Sequence, residues 1–396
     1  MRVAMVISNG YEPDVRVQKE AHTLALAGYD VTVIAWDRVC QFAPHELEPI
    51  PEGLASALAE WPGRVVHTPG AVPIIRIQTS AGYRTGRRLL LKMPIFGWRL
   101  LGELRRLRPD VVHAHDLDTL PVAYLYHKLA RVPVVFDARE FYPGMVRANV
   151  GGALSLMLDR LDHWLAPRVD AILTVGERLA ARYRDMGGRV WVVHNSQPLP
   201  DRVALDRVGT ALRRSWGVPD DALLVIYVGM LTPDRLLTPI LEAVPKLDHV
   251  WLAVGGYGPQ LPAVQEVAKA CKRILVLGRV PLAEVSSVVA AGDVIYYGLE
   301  AHDLNSFYFM PNLAFFALAV GRPLLTTPVG EIADVVQREG CGVVMADTAE
   351  TALQQLSDPA FRATLADRAR YLGQDEYTWM RAATQLGDVY HTLFLR

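Results

Sequence analysis

The chain has 396 residues, of which 51% are hydrophobic and 21% charged, with a formal net charge of -1. That length suits two domains, each able to bury its own core, and the near-neutral balance excludes a general attraction to nucleic acid or membrane. Cys40, Cys271 and Cys341 lie far apart without metal-ligand spacing, and Met1 runs straight into an apolar strand. No window approaches the roughly 18 to 20 uncharged apolar residues of a spanning helix, so the chain reads as cytoplasmic, with no nucleic acid and no metal among its partners.

Arg2 to Ser8 is an unalternating apolar run, as a strand buried on both faces of a parallel sheet would be. Ser8, Asn9 and Gly10 make the following turn, Val17, Ala21, Leu24 and Ala25 an apolar helix stripe, and Asp30 to Ala35 the next strand. This is the opening of a mononucleotide-binding half-fold, without the three-glycine dinucleotide fingerprint. From Gln41 to Pro73 the pattern weakens into proline-rich polar connections, and Ile74 to Gln78 is a further strand.

Between Arg84 and Arg108 stand eight basic residues (Arg84, Arg87, Arg88, Lys92, Arg99, Arg105, Arg106 and Arg108) against the single acid Glu103, interleaved with Ile95, Phe96, Trp98 and Leu101. Such a segment can touch an anionic membrane surface peripherally or receive a phosphorylated acceptor; the plainer alternative is a solvated helix whose arginines flank a core face. Pro109 to Asp116 is a strand ending in His113, His115 and Asp116 at the edge where doubly wound sheets bind ligands. Strands follow at Val132 to Asp137, leading into Arg139 and Glu140, at Asp170 to Val175 and at Arg189 to His194.

Pro198 to Pro219, rich in proline and charge, reads as a domain crossing. A second α/β series begins with a strand at Leu223 to Val228, the loop Gly229 to Arg235 and a helix at Leu236 to Val244. His249 to Val254 enters the turn Gly255, Gly256, Tyr257, Gly258, Pro259; Ile274 to Gly278 with Arg279, and Asp293 to Tyr297, continue the sheet. Pro311 opens a helix with Phe315 and Ala319 on its apolar face, Gly321 ends it, and Pro323 to Thr327 is a short strand. Gly330, Glu331 and Asp334 lie in the next loop, and a helix runs from Trp379 through Phe394.

These segments, in this order, resemble the retaining glycosyltransferases of family 4. Asp14 and Arg16 fall on the Asp-x-Arg of the family's first motif, His113 and His115 on its His-x-His, and Asp137, Arg139 and Glu140 on Asp-x-His-Glu with arginine replacing the histidine. The loop ending in Arg235 is similar to a diphosphate-gripping loop with two cations, Met230 standing where the first would be. Gly256 and Gly258 match a glycine turn at the nucleotide base, and Pro311 and Asn312 the start of the donor helix. Two family glutamates of that donor segment are replaced, by Tyr308 and Phe316.

The resemblance implies an α/β protein of the GT-B type: two facing Rossmann-like, doubly wound domains, residues 1–200 for the acceptor and 201–375 for the nucleotide-sugar donor, with 376–396 as a helix crossing back. It implies retaining transfer from a nucleotide-diphosphate sugar, itself a substrate, with no cofactor and no obligatory metal. His115 and Arg235 are then the catalytic candidates. Gly10, Gly229, Gly256, Gly258, Arg279, Tyr308, Pro311, Asn312, Phe316, Gly330 and Asp334 would hold the donor, while Asn9, Asp14, Arg16, Asp116, Arg139, Glu140, Glu300 and His302 would line the acceptor side.

The departures leave three readings open. Aromatic rings in place of hydroxyl-binding carboxylates leave sugar hydroxyls unpaired, at about 1 to 3 kcal/mol each, which points to an atypical donor such as a deoxygenated sugar. Equally, Phe315 and Phe316 can be helix core, with Glu300, His302, Asp303 or Asn305 supplying the polar contacts. Beside a transferase stand a hydrolase or non-glycosidic coupling enzyme on the same scaffold, and a non-catalytic sugar-nucleotide-binding partner.

Overall fold

A computed structural model of the chain describes residues 1–396 except 12, 13, 63, 65, 68, 69, 82–86, 303, 395 and 396. The described chain divides into two units, Met1–His194 together with Met380–Arg396, and Asn195–Trp379.

The first unit is built on strands β1 (Arg2–Ile7), β2 (Asp30–Asp37), β3 (His45–Pro49), β4 (Ala71–Gln78), β5 (Val111–His115), β6 (Val134–Ala138), β7 (Ala171–Thr174) and β8 (Val190–Val192). They pair in the order β3-β4-β2-β1-β5-β6-β7-β8, with β3 antiparallel to β4 and the other pairs parallel. The strand order reverses direction between β1 and β5, so their carboxyl ends border the crevice at which such sheets bind ligands. Val3 to Ile7 and the whole of β5 and β6 are buried; β1 does so as an apolar run, while β5 buries His113 and His115 and β6 buries Asp137 among apolar neighbours. The stretch from Gln41 to Pro73, expected to be connection alone, contains β3 and a helix at Glu52–Ala57. β3 is a largely exposed edge strand, and its Glu46, Glu48 and Pro49 give it no hydrophobic signature.

The helix Arg87–Leu107 buries Phe96, Leu100 and Leu104 and exposes Trp98 and Ile95. Arg99 donates to the Gln78 carbonyl at 2.8 Å, and Arg106 pairs with Glu103 at 2.8 Å. Of the basic segment, Arg84 lies outside the described residues. Among those described, no helix is long and apolar enough to cross a membrane.

The second unit carries β9 (Leu223–Met230), β10 (Val250–Tyr257), β11 (Ile274–Gly278), β12 (Val294–Tyr297), β13 (Leu324–Thr326) and β14 (Gly342–Val344), all parallel, in the order β11-β10-β9-β12-β13-β14. Here the reversal falls between β9 and β12. The segment expected as a domain crossing is in fact largely helical, Arg202–Ser215, and belongs to this unit. Asp201 caps it by accepting from the Ala204 amide at 3.1 Å, and Gly209 sits so close to Ala290 that a Cβ would lie 2.6 Å from its carbonyl carbon. The helix Asn312–Val320 is buried at every position from Leu313 to Val320, as an all-apolar helix must be. Gly321 closes it at φ 77°, in the left-handed region glycine tolerates.

The final helix, Trp379–Phe394, joins the first unit from Met380 onward. Ala383, Leu386, Val389 and Tyr390 form its buried stripe, and the Tyr390 hydroxyl reaches His113 Nδ1 at 3.0 Å.

Candidate active site

In the first unit the parallel register sets His115 beside Asp137 at the ends of β5 and β6. His115 Nδ1 lies 2.9 Å from an Asp137 carboxylate oxygen, both residues fully buried. Arg16, from the helix Val15–Leu26, donates to the same carboxylate from Nε and Nη2 at 2.7 to 3.1 Å, and to the Val193 carbonyl at 2.6 Å. Burial alone would raise the Asp137 carboxyl, but the Arg16 charge, then the His115 hydrogen bond, outweigh it and hold the group well below the usual carboxylate range. The acid is therefore ionised and accepts the Nδ1 proton of His115; Nε2 is buried without a hydrogen-bond partner among the described residues.

Beneath this pair lie Glu20 and His113. Their rings and carboxylates gather closely: His113 stacks on His115 at 4.4 Å, and His113 Nε2 is 3.7 Å from Glu20. Arg16 Nε comes within 3.1 Å of Glu20 Oε1, off the line of a hydrogen bond. Burial pushes the Glu20 carboxyl up to about 8 and drives the His113 imidazole well below its ordinary range. Glu20, His113, His115 and Asp137 bring ligand-capable atoms within 4.8 Å of one another, but the Arg16 guanidinium already supplies the positive charge a metal would bring.

A second ionic group lies alongside. Arg139 donates to both oxygens of Asp14 at 2.7 and 2.9 Å and forms a forked pair with Asp116. Asn9 donates to Asp14 at 3.1 Å. Burial favours the neutral form of Asp14, yet Arg139 prevails and lowers its pKa. Asp116 is in the left-handed region at φ 64° directly after β5, its amide held by the Asp137 carbonyl at 3.0 Å. The arginine that departs from the resemblance thus joins two of the expected site residues, Asp14 and Asp116, and Asn9 is tied to it through Asp14. Glu140 follows it, partly exposed. Gly10 lies under Phe42, whose ring a Cβ would meet at 2.9 Å, and its carbonyl accepts from buried Arg76 at 3.1 Å.

In the second unit, the expected donor residues gather where β9, β10, β12 and β13 end. Gly256 (φ 148°) and Gly258 (φ 145°) let the β10 turn press on the β9 loop: a Cβ on Gly256 would overlap the Gly229 carbonyl, and one on Gly258 would stand 2.6 Å from the Leu231 oxygen. Arg235, in that loop, is paired with Asp234 and lies over Phe309 (4.5 Å) and Tyr297 (5.5 Å). Leu299 bridges to Arg235, and the Glu300 amide donates to the Asp234 carbonyl at 3.0 Å, which brings Glu300 to the same loop. His302 is exposed, as is Met230, the position of the absent cation. Arg279 lies over Tyr257 at 5.1 Å.

Gly330 (φ 80°) opens the helix Gly330–Glu339 against the turn that carries Tyr308, a Cβ there standing 2.7 Å from the Ser306 oxygen and 3.1 Å from that of Phe309. Asp334 is one turn into that helix and partly exposed. Three expected residues serve the framework: Pro311 is the cap of its helix, Asn312 is hydrogen-bonded to Asn195, and Phe316 is 8% exposed in the helix interior. Tyr308 is partly exposed, edge-on to Phe307.

Residues 13–196 match the model of the glycosyl transferase 4-like domain, and residues 222–358 that of the glycosyl transferases group 1. The fold matches solved GT-B structures: sucrose-phosphate synthase from Thermosynechococcus elongatus at TM-score 0.77, 16% identical over 100% of this chain and 99% of that one. The chain belongs to the GT-B glycosyltransferases. The glycosyltransferase is also 26% identical to a glycogen synthase of Mycobacterium tuberculosis, over 73% of this chain and 70% of that protein. Anabaena HepE, solved in complex with UDP-glucose, superposes at TM-score 0.71 with 15% identity, covering 99% of this chain and 100% of that one.

Sequence reading passed over three residues that this glycosyltransferase uses to hold its site. Glu20 and Arg76 sit in polar surroundings that look solvent-facing on a linear chain, yet both are buried. Asp137 was legible as a strand end and as the first residue of the Asp-x-His-Glu match, but without a site role; the β5–β6 register is what reveals it as the partner of His115. The spacing of Arg16 and Glu20, one helical turn apart, was the one local signal available for Glu20.

Proposed function

We propose that the protein transfers a sugar from a nucleotide-diphosphate sugar to an acceptor hydroxyl with retention at the anomeric carbon. The observation that carries this reading is His115, a buried imidazole fixed by Asp137 with its Nε2 left to bond a sugar hydroxyl. A ring held in one orientation by Asp137 can place a sugar hydroxyl, which is the positioning that transfer without a side-chain nucleophile depends on.

That charge would be met by Arg235, by amides of the Gly229–Arg235 loop and by the N-terminus of the helix opened by Gly330. As the acceptor oxygen bonds to the anomeric carbon, the bond from that carbon to the phosphate oxygen breaks, and the leaving phosphate takes the acceptor proton. No side-chain nucleophile is required, and the diphosphate needs no metal ion if Arg235 and the amides neutralise it. Tyr308 and Phe316 in place of carboxylates favour a donor with fewer hydroxyls or one whose nucleotide is held by stacking.

The test is to incubate the protein with a panel of nucleotide sugars and alcohol acceptors, follow glycoside and free sugar by mass spectrometry, and read the product's anomeric configuration by proton NMR. A product of inverted configuration, or none with any donor that binds, would overturn the proposal; free sugar alone would favour the hydrolase.

A further inference from the structure

We propose that the acceptor is an apolar alcohol, held in a pocket of the first unit; this rests on the transferase reading above. The pocket has a volume of about 420 Å³, within the range that encloses a drug-sized molecule. Its walls are Met93, Leu117, Pro121, Met145, Val146, Val150, Leu154, Leu158 and Leu161, drawn chiefly from the segment after β6. Its polar lining is Ser8, Asn9, Arg38, Asp116, Asp118, Tyr142 and Asn149; Ser8 and Asn9 directly follow β1 and Asp116 directly follows β5, beside the His115 group.

The polar residues define what can enter. Ser8 donates to Asp118 at 2.5 Å, and Arg38 donates to Ser8 at 3.2 Å while standing 3.7 Å from Asp118. Asp116 is paired with Arg139. Each cation here is matched by carboxylates, so the pocket carries no excess positive charge for a phosphate or carboxylate acceptor. The apolar walls offer a free sugar few partners, and burying its hydroxyls against leucine and methionine would cost their hydration. A molecule with one hydroxyl at the Asn9 and Asp116 end and a hydrocarbon body along Leu154, Leu158 and Leu161 satisfies both ends. Methionine at Met93 and Met145 can adapt to an aryl or an alkyl body.

The experiment separates this inference from the transferase reading by measuring acceptor binding without a donor. 1-Naphthol (aryl body), 1-decanol (alkyl body) and glucose are titrated into the full chain and into Leu158→Arg and Met145→Trp, with circular dichroism confirming the fold; Met145 is partly exposed, so its variant keeps the test open should Leu158→Arg misfold. Naphthol or decanol should bind at least tenfold more tightly than glucose and lose at least tenfold in a folded variant, the preferred body identifying the source. Equal or tighter binding of glucose, or unchanged affinity in both variants, overturns the apolar acceptor even where transfer to a sugar is observed. Binding that the variants abolish, with no nucleotide sugar bound or consumed, would leave the pocket assignment standing and sink the transferase reading instead.

Discussion

His115 and Asp137 are joined across adjacent parallel strands, Nδ1 to carboxylate oxygen, at 2.9 Å. Because Arg16 shares that carboxylate, the imidazole tautomer and a buried ion pair depend on the same side chain. Asp137→Asn keeps the shape but leaves the Arg16 charge unmatched and lets His115 turn its tautomer. It is expected to destabilise the fold by about 3 to 5 kcal/mol, measured by urea unfolding, and to lower kcat for sugar transfer in whatever fraction remains folded.

Glu20 sets a pH dependence whose direction can be worked out. Its carboxyl is raised from 4.5 in an ordinary setting to about 8 in the fold, so between those values the folded chain holds a proton that the unfolded chain has released. The stability it contributes is full below pH 4.5 and is lost as pH rises toward 8, by at most about 1.4 kcal/mol per pH unit. Urea midpoints of the parent should fall relative to those of Glu20→Gln across this window. Parallel curves for the two proteins would show that Glu20 is already ionised in the fold.

Arg235→Ala should weaken binding of UDP, used as the probe diphosphate, by about 1.5 to 3 kcal/mol, read by calorimetry. The side chain is largely buried over Phe309 and Tyr297 and is ion-paired with Asp234, so circular dichroism of the variant accompanies the titration. Unchanged affinity in a folded variant would move the diphosphate site away from this loop.

Gly256→Ala forces a methyl onto the Gly229 carbonyl at a backbone angle that L-residues avoid. We expect a loss of about 1 to 3 kcal/mol in thermal unfolding together with weaker UDP binding, since the β9 loop must move to make room. Gly217→Ala supplies the contrast: its φ is 72° but none of the described residues lies within 4 Å of the added Cβ, so strain alone acts there and UDP binding should not change.

Phe316→Glu with Tyr308→Glu tests the donor wall. If these positions face the sugar, the double variant should gain preference for fully hydroxylated hexose donors, measured as a ratio of kcat/KM values. Phe316 is nearly enclosed in its helix, so a simple loss of stability with unaltered donor ratio would identify it as core.

The sheets were largely legible from the chain because buried parallel strands such as β1 and β9 are apolar runs bounded by turns. The helix at Arg202–Ser215 was not: its charged sequence and flanking prolines imitate a linker, and only the fit of Gly209 against Ala290 shows what it packs on. At the site, motif order located His115, Asp14, Asp116 and Arg139, but not their pairing. That pairing arises from strand register and from Arg16 reaching across to β6, contacts separated by 121 residues for Arg16 and Asp137. No local periodicity encodes such a distance.

The hydroxyl of Tyr390 on His113 has a consequence for synthesis. The first unit is interrupted in sequence by the whole of the second, and the helix that seals the floor below His115 follows that interruption. On a ribosome, residues 195–379 can collapse as one continuous stretch, while the earlier-made sheet must keep its Glu20 and His113 interior uncovered until the last helix emerges. The site-bearing half of the molecule therefore begins first and finishes last, and a chain stalled before Tyr390 would leave a buried carboxyl and imidazole open to water even with every strand of both sheets already made.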